Sequence, residues 1–219
     1  MRHRIASIAL MLTTGVMLAV AVHAATPTPA APAAHAMSKA DFAGGCFWSE
    51  ESAFEGLPGV LSAVSGYTGG TMKHPSYEDV STGTTGHLES VEVTFDPSII
   101  TYAQLLDIYW HNIDPTQTDG QFCDRGAEYH TAIFYRDSTQ LREAEASKRK
   151  IETTPQRFTA PIATQIRPAS AFWPAEDYHQ DFADKNPGHY MPYRIGCGRD
   201  ARLTAMWGKP GRQGHRAKS

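Results

Sequence analysis

Apolar and polar positions along the chain predict strands and helices that follow one another in a regular order. Alternation with a period of two, or a short apolar run, predicts strands over 39–43, 60–67, 88–95, 131–135 and 162–166. Capping residues and helix-forming composition predict helices over 49–57, 101–109, 138–151 and 176–185. The order β-α-β-β-α-β therefore predicts an α/β fold, a two-layer sandwich of split βαβ (ferredoxin-like) type with an added helix and a C-terminal coil.

The first residues have the pattern of a secretory signal. Arg2 and Arg4 precede an apolar run from Ile5 to Val22, and small residues around Ala24 offer a cleavage site. We therefore predict a signal peptide over 1–24 and an exported protein, periplasmic or secreted, with no stable membrane insertion after cleavage. An uncleaved membrane anchor is the alternative, which Thr13, Thr14 and Gly15 within the run disfavour.

The remaining boundaries follow from composition. Residues 25–37 are rich in Ala and Pro and predict a linker, 38–200 hold the folded domain, and 201–219 predict a basic, disordered tail. The chain has 20 Lys and Arg against 23 Asp and Glu, a formal charge of -3, so it lacks the basic excess typical of nucleic-acid binding.

Gly45-Cys46-Phe47-Trp48 places a thiol at the predicted strand-to-helix turn. Amide groups of a first helical turn favour a thiolate, whereas Glu50 and Glu51 would oppose it if they faced the sulfur. The motif predicts a nucleophile, and a small buried cysteine among aromatic rings is the alternative.

Cys46, Cys123 and Cys197 make an odd count, so at least one thiol is left over if the others pair. The chain has no Cys-x-x-Cys pair and its histidines are scattered, which argues against a zinc site. We predict no metal and no cofactor.

Several motifs together resemble the peptide methionine sulfoxide reductase A family across about residues 40–190. They are Gly45-Cys46-Phe47-Trp48, Gly66-Tyr67-Thr68-Gly69-Gly70, His74-Pro75-Ser76-Tyr77, Thr85-Gly86-His87-Leu88-Glu89 and Asp124-Arg125-Gly126-Ala127-Glu128-Tyr129. The resemblance implies that family's α/β sandwich. It also implies reduction of methionine S-sulfoxide to methionine, in oxidised proteins or peptides and with the free amino acid as a further candidate substrate.

The resemblance also implies roles for particular residues. Cys46 would attack the sulfoxide sulfur and become a sulfenic acid, and Glu89 would supply a proton to the departing oxygen. Tyr77 and Tyr129 would hydrogen-bond that oxygen. The remaining implied substrate-binding residues are Asp124, a further polar group, and Phe47 and Trp48, which would hold the methyl group.

Recycling of the sulfenic acid requires a second thiol and then a thioredoxin-like dithiol reductant. Cys197, between Gly196 and Gly198, is the preferred resolving residue. Cys123 remains the alternative, because it adjoins Asp124, and an inert buried role for Cys123 is equally open.

Two functions of other classes remain open at this point. One is a cysteine hydrolase in which Cys46 works with a histidine such as His130 or His179. The other is a non-enzymatic exported binding module held by a disulfide between Cys46 and Cys197.

Overall fold

The computed structural model describes residues 36–154, 158 and 160–214. Within them the chain forms eight strands, which give one six-stranded mixed sheet and a separate two-stranded hairpin. In chain order they are β1 (Ser38–Gly44), β2 (Val60–Thr68), β3 (Leu88–Phe95), β4 (Gly120–Gln121), β5 (Asp124–Arg125), β6 (Thr131–Tyr135), β7 (Gln165–Pro168) and β8 (Trp173–Pro174).

The large sheet has the order β7-β6-β1-β3-β2-β8, and β4 pairs with β5 in the hairpin. All neighbours in the large sheet are antiparallel except β6 and β7, which are parallel. β3 lies between β1 and β2, which makes β1-α1-β2 a split βαβ unit, and β6 closes the other side of β1. The predicted fold class is confirmed for this central part.

Three of the helices begin at residues whose side chains cap them. Ser76 and Thr101 each form a capping box, and the Asp137 carboxylate accepts from the amides of Thr139 and Gln140. The helices are α1 (Phe47–Phe54), α2 (Tyr77–Ser81), α3 (Tyr102–Trp110), α4 (Ser138–Glu152), α5 (Phe182–Lys185), α6 (Pro187–Gly196) and α7 (Arg199–Trp207).

The core lies between the sheet and the helices α1, α3 and α4. The Phe42 ring of β1 stacks at 5.1 Å on Phe54 of α1 and at 5.1 Å on Tyr109 of α3. Burying one such ring contributes about 2 kcal/mol. The Tyr109 hydroxyl donates to the Ala43 carbonyl at 2.9 Å, so α3 is tied to the strand that leads into Cys46.

Several predicted elements differ from the structure. The helix expected over 49–57 lies at Phe47–Phe54, and the strand expected over 162–166 lies at Gln165–Pro168. The short helix α2 was not among the predicted elements. The helix expected over 176–185 is a 3₁₀ turn (Asp177–His179) followed by α5. Asp181 separates the two pieces because its φ of 53° is left-handed and cannot continue a helix.

The predicted disordered tail is wrong for residues 201–207, which belong to α7, and a C-terminal coil is present only over 208–214. Helix α6 precedes α7, and Gly211 and Gly214 are buried beyond the two helices. Arg194 of α6 is fully buried, binds Asp200 through Nε at 3.0 Å and donates to the Tyr190 hydroxyl at 2.9 Å. These two contacts compensate the buried charge of Arg194, in a segment whose composition alone predicts exposure to solvent. Residues 215–219 lie outside the described residues.

The signal peptide over 1–24 and most of the predicted linker lie outside the described residues as well. The first strand among the described residues, β1, starts at Ser38. No helix among the described residues is long and apolar enough to span a membrane.

Candidate active site

Cys46 lies at the turn from β1 into α1, where two glycines shape the backbone. Gly45 has a φ of 84°, which a residue with a side chain rarely adopts, and the Glu50 carboxylate leaves no room for a side chain at Gly44. The helix begins at Phe47 with Cys46 as N-cap, and the Cys46 carbonyl accepts from Ser49 N–H at 3.1 Å. The thiol is therefore held at a helix N-terminus, as predicted.

Glu89 lies on β3, beside β1 in the sheet, and its carboxyl group reaches the start of α1. Its Oε2 accepts a hydrogen bond from the Phe47 amide at 2.9 Å. Burial raises the pKa of Glu89 to about 8, with the Phe47 amide opposing that shift and the Asp124 and Glu128 carboxylates adding to it. Glu89 is accordingly protonated at neutral pH and can donate a proton.

Tyr77 and Tyr129 face the same cluster from α2 and from a 3₁₀ turn (Ala127–Tyr129). Burial followed by the Glu89 carboxylate raises both tyrosine pKa values, and the neighbouring Tyr129 hydroxyl lowers that of Tyr77. The Tyr77 amide donates to Glu176 Oε1 at 2.9 Å, which fixes the start of α2. Two hydroxyl donors thus stand next to the Glu89 carboxyl group.

Tyr193, a residue of α6 that the sequence reasoning missed, covers the Cys46 thiol. Its hydroxyl donates to Asp124 Oδ2 at 2.6 Å and also lowers the pKa of the nearby Cys46 thiol. Cys46 is only 7% exposed as a result. The sequence shows a tyrosine four residues before Cys197, but no local pattern indicates that this tyrosine contacts Cys46.

The pKa of the Cys46 thiol is raised, contrary to the predicted thiolate. Burial is the largest cause, the Glu89 and Asp124 carboxylates add to it, and Tyr193 and Arg199 oppose it. The helix N-terminus does not overcome this desolvation. In the closed arrangement the residue is a thiol.

The two acidic residues suspected of raising this pKa face other partners. Glu50 is fully buried 3.6 Å from the Arg199 guanidinium, and its own pKa is raised by burial to about 8. Glu51 Oε2 accepts from the Asp181 amide at 3.0 Å.

Arg199 is the second residue that sequence reasoning missed. Its Nη2 donates to the Gly44 carbonyl at 2.6 Å, and its guanidinium lies 4.4 Å from the centre of the Phe122 ring. It is 3% exposed, so its charge acts on Cys46 and Asp124 with little screening by water. Arg199 thereby joins α7 to the loop that carries the thiol.

Phe47 and Trp48, predicted to hold a methyl group, lie in an aromatic cluster next to the thiol. The Phe47 ring is 1% exposed and lies 4.9 Å from the His179 ring. Trp48 is half-buried, stacks on Phe182 at 3.7 Å and donates its indole N–H to His179 Nδ1 at 3.1 Å. The cluster gives the site an apolar wall, and the methyl contact itself stays a prediction.

Cys123 and Cys197 form a disulfide with a Cα–Cα distance of 4.9 Å, and Cys46 is the free cysteine. Cys123 is exposed, so the buried inert role considered for it is wrong. The bridge between Cys46 and Cys197 required by the binding-module alternative is not the one that forms.

His179 does not support the hydrolase alternative. The His179 Nδ1 is occupied by the Trp48 indole, and burial lowers the His179 pKa. His87 accepts from the Gly70 amide at 3.3 Å and contacts the Met72 carbonyl at 2.9 Å, so both of its ring nitrogens have partners away from Cys46. Apart from burial, the groups that most affect the pKa of Cys46 are carboxylates, a phenol and a guanidinium, and none is a histidine.

Comparison with known proteins agrees with this arrangement. A family model described as peptide methionine sulfoxide reductase matches residues 38–210. The chain is 51% identical over 170 residues to the peptide methionine sulfoxide reductase MsrA of Bacillus licheniformis, covering 78% of this chain and 93% of that protein. It is 47% identical over 193 residues to MsrA 2 of Caulobacter vibrioides, covering 88% and 97%.

Two solved structures are similar at 30% sequence identity each. Reduced Mxr1 from Saccharomyces cerevisiae has a TM-score of 0.65, covering 70% of this chain and 88% of that one. Methionine sulfoxide reductase A of Corynebacterium diphtheriae has a TM-score of 0.63, covering 72% and 79%.

We expect Arg199→Gln to raise the Cys46 thiol pKa further and so to lower the thiolate fraction at a given pH, because a nearly buried positive charge is removed. Arg199→Lys should shift it less because the charge is kept. The pH dependence of iodoacetamide alkylation measures this cleanly in the disulfide-bonded protein, where Cys46 is the free thiol. Arg202→Gln, on the same helix but bonded to Asp114 at 2.7 Å, is the matched control. Equal shifts for Lys and Gln at position 199 would indicate lost packing instead of lost charge.

Proposed function

The chain belongs to the peptide methionine sulfoxide reductase family, and from this membership we infer how its own residues carry out the thiol-dependent reduction of methionine sulfoxide to methionine. The observation that carries the inference is the pairing of the free Cys46 with a protonated Glu89, joined through the Phe47 amide at 2.9 Å. A nucleophile and a proton donor adjoin the same helix terminus. Such a pair suits a reaction that needs attack at sulfur and protonation of oxygen.

In the first step the Cys46 sulfur attacks the sulfoxide sulfur while Glu89 protonates the sulfoxide oxygen. The oxygen passes to Cys46, methionine leaves, and the thiol proton restores the Glu89 carboxyl group, so that a thiol and a sulfoxide become a sulfenic acid and a thioether. Tyr77 and Tyr129 hydrogen-bond the sulfoxide oxygen while it is transferred to Cys46. We propose the S epimer as the substrate, as the resemblance implies.

Substrate entry requires Tyr193 to move. With Cys46 7% exposed and the Tyr193 hydroxyl bonded to Asp124, the closed site leaves the sulfur no room for a substrate. Displacement of α6 would expose the thiol and the Phe47–Trp48 wall together. It would also rehydrate Cys46, which favours the thiolate by reversing the largest cause of its raised pKa.

We propose that the sulfenic acid is resolved in two exchanges. The Cys197 thiol attacks the Cys46 sulfenic acid, releasing water and forming a Cys46–Cys197 disulfide. The Cys123 thiolate then attacks Cys197, which frees Cys46 and gives the Cys123–Cys197 bridge. The observed bridge at an exposed cysteine supports this order, because an outside reductant can reach it.

The reductant that we propose is a thioredoxin-like dithiol protein, which would return the bridge to two thiols. We also propose export, with cleavage of 1–24, on the strength of the charged and apolar N-terminal pattern. N-terminal sequencing of the protein after expression in a Gram-negative host tests the cleavage. A start at Ala25 is expected, and a membrane-bound protein that still begins at Met1 would contradict it.

The overall reaction is tested with separate S and R epimers of a methionine sulfoxide peptide and dithiothreitol. The wild type should reduce the S epimer alone, and Cys46→Ser should form no methionine because the nucleophile is missing. Cys197→Ser should release a single equivalent and then stall with a dithiol protein, and Cys123→Ser should accumulate the Cys46–Cys197 disulfide, visible by peptide mapping. Steady turnover of Cys197→Ser with the dithiol protein would overturn the resolving role of Cys197.

Glu89 donates only when protonated, so its role predicts a descending pH limb. The single-turnover rate of the wild type should fall as the pH rises through about 8, the pKa to which burial raises Glu89. Glu89→Gln should be slower by about 100-fold or more and should lack this limb. Glu92→Gln is the control on the same strand, since Glu92 pairs with Lys39 and does not belong to the active site. Persistence of the limb in Glu89→Gln would assign it to another group.

A further inference from the structure

Three side chains of metal-ligand type converge next to the active site. The sulfurs of Cys123 and Cys197 and a carboxylate oxygen of Asp124 all lie within 4.8 Å of one another. The two cysteines are 74 residues apart, so no local spacing signals this cluster. The fold alone creates it.

The two oxygens of Asp124 have different surroundings. Oδ2 accepts the Tyr193 hydroxyl at 2.6 Å, whereas Oδ1 lies 3.7 Å from the Cys123 sulfur. Asp124 can therefore offer Oδ1 to an ion between the cysteines while Oδ2 keeps its bond to Tyr193. A ligand held in place by its other oxygen is the usual arrangement around a protein-bound metal.

The cluster becomes a potential ligand set whenever the disulfide is reduced, as every catalytic cycle requires. Two thiolates at 2.3 Å from a tetrahedral zinc are about 3.8 Å apart. The Cα–Cα distance of 4.9 Å already holds the cysteines close. Open space around Gly196 and Gly198 would let Cys197 make the small adjustment.

The local charges suit a divalent ion with affinity for sulfur. Two thiolates and a carboxylate carry three negative charges, which Arg199 and Arg125 offset only in part. Thiolate ligands select zinc over calcium or magnesium. Exposure of Cys123 gives the ion a path from solvent.

We propose that the reduced protein binds Zn²⁺ through Cys123, Cys197 and Asp124, with a solvent molecule in the fourth position. Binding releases the two thiol protons and leaves Cys46 outside the coordination sphere. The ion takes both thiols that recycle Cys46 and joins α6 to the β4–β5 hairpin, as the disulfide does. Zinc therefore inhibits turnover reversibly, a consequence that rests on the proposed function, whereas the site itself does not.

Cobalt(II), which replaces zinc and is coloured, tests the site without an activity assay. Anaerobic titration of the phosphine-reduced full chain should produce thiolate-to-cobalt charge transfer and tetrahedral visible bands, saturating at a single ion per chain and reversed by zinc. The disulfide-bonded wild type is the folded control and should give neither. Cys46→Ser should keep the bands, Cys123→Ser and Cys197→Ser should lose them, and Asp124→Asn should weaken binding.

Bands absent from the reduced wild type, or bands retained by both cysteine variants, would overturn the site. Visible absorption without thiolate charge transfer would assign the ion to histidines and would overturn it equally. Zinc added to a turnover assay with a dithiol protein should stop turnover, and a chelator should restore it. A protein that shows the cobalt bands but has no activity before zinc is added would refute the proposed function and leave the site standing.

Discussion

The constraint on which this site depends is the desolvation of one thiol and two carboxyl groups in a shared volume. Cys46 and Glu89 are buried and Asp124 is partly so, and burial raises the pKa of all three groups. The Asp124 carboxylate adds to the rise for both Cys46 and Glu89. Asp124 is the best compensated, because the Tyr193 hydroxyl and the Arg199 guanidinium both favour its charged form. Asp124 is therefore the group that carries the negative charge, and Glu89 keeps the proton that it donates to the sulfoxide oxygen.

The same constraint explains why the C-terminal helices belong to the catalytic domain. They supply the groups that make burial of the thiol tolerable, the Tyr193 hydroxyl from α6 and the Arg199 guanidinium from α7. A disulfide at Cys197 fixes the junction of these helices to the hairpin beside Asp124. Tyr193, which closes the site, lies four residues before Cys197, so closure and the redox state of the bridge are linked through this stretch. A metal between the same two sulfurs would likewise hold α6 to the hairpin.

Local sequence predicted the central sheet well and the C-terminal segment poorly. Alternation along β1, β2 and β3 reflects their burial in one sheet, so their period carries the information. The arginines of the C-terminal segment suggest a solvated surface, yet Arg194 and Arg199 are buried. Arg194 pairs with Asp200 of the next helix, and Arg199 lies beside Glu50, which is distant in the sequence. A buried charge that is stabilised by its partners looks in the sequence like a solvated one.

The sequence by itself determined the residue types of the reaction and the order of strands that carry them. Cys46 at a strand-to-helix turn and Glu89 on a neighbouring strand were identified from motifs, and the structure brings them together. Only the tertiary structure decided that the thiol is protonated, that Tyr193 covers it and that Cys123 pairs with Cys197. The physical reason is that pKa values and disulfide pairing depend on burial and on distances between residues far apart in the chain, which no local pattern encodes.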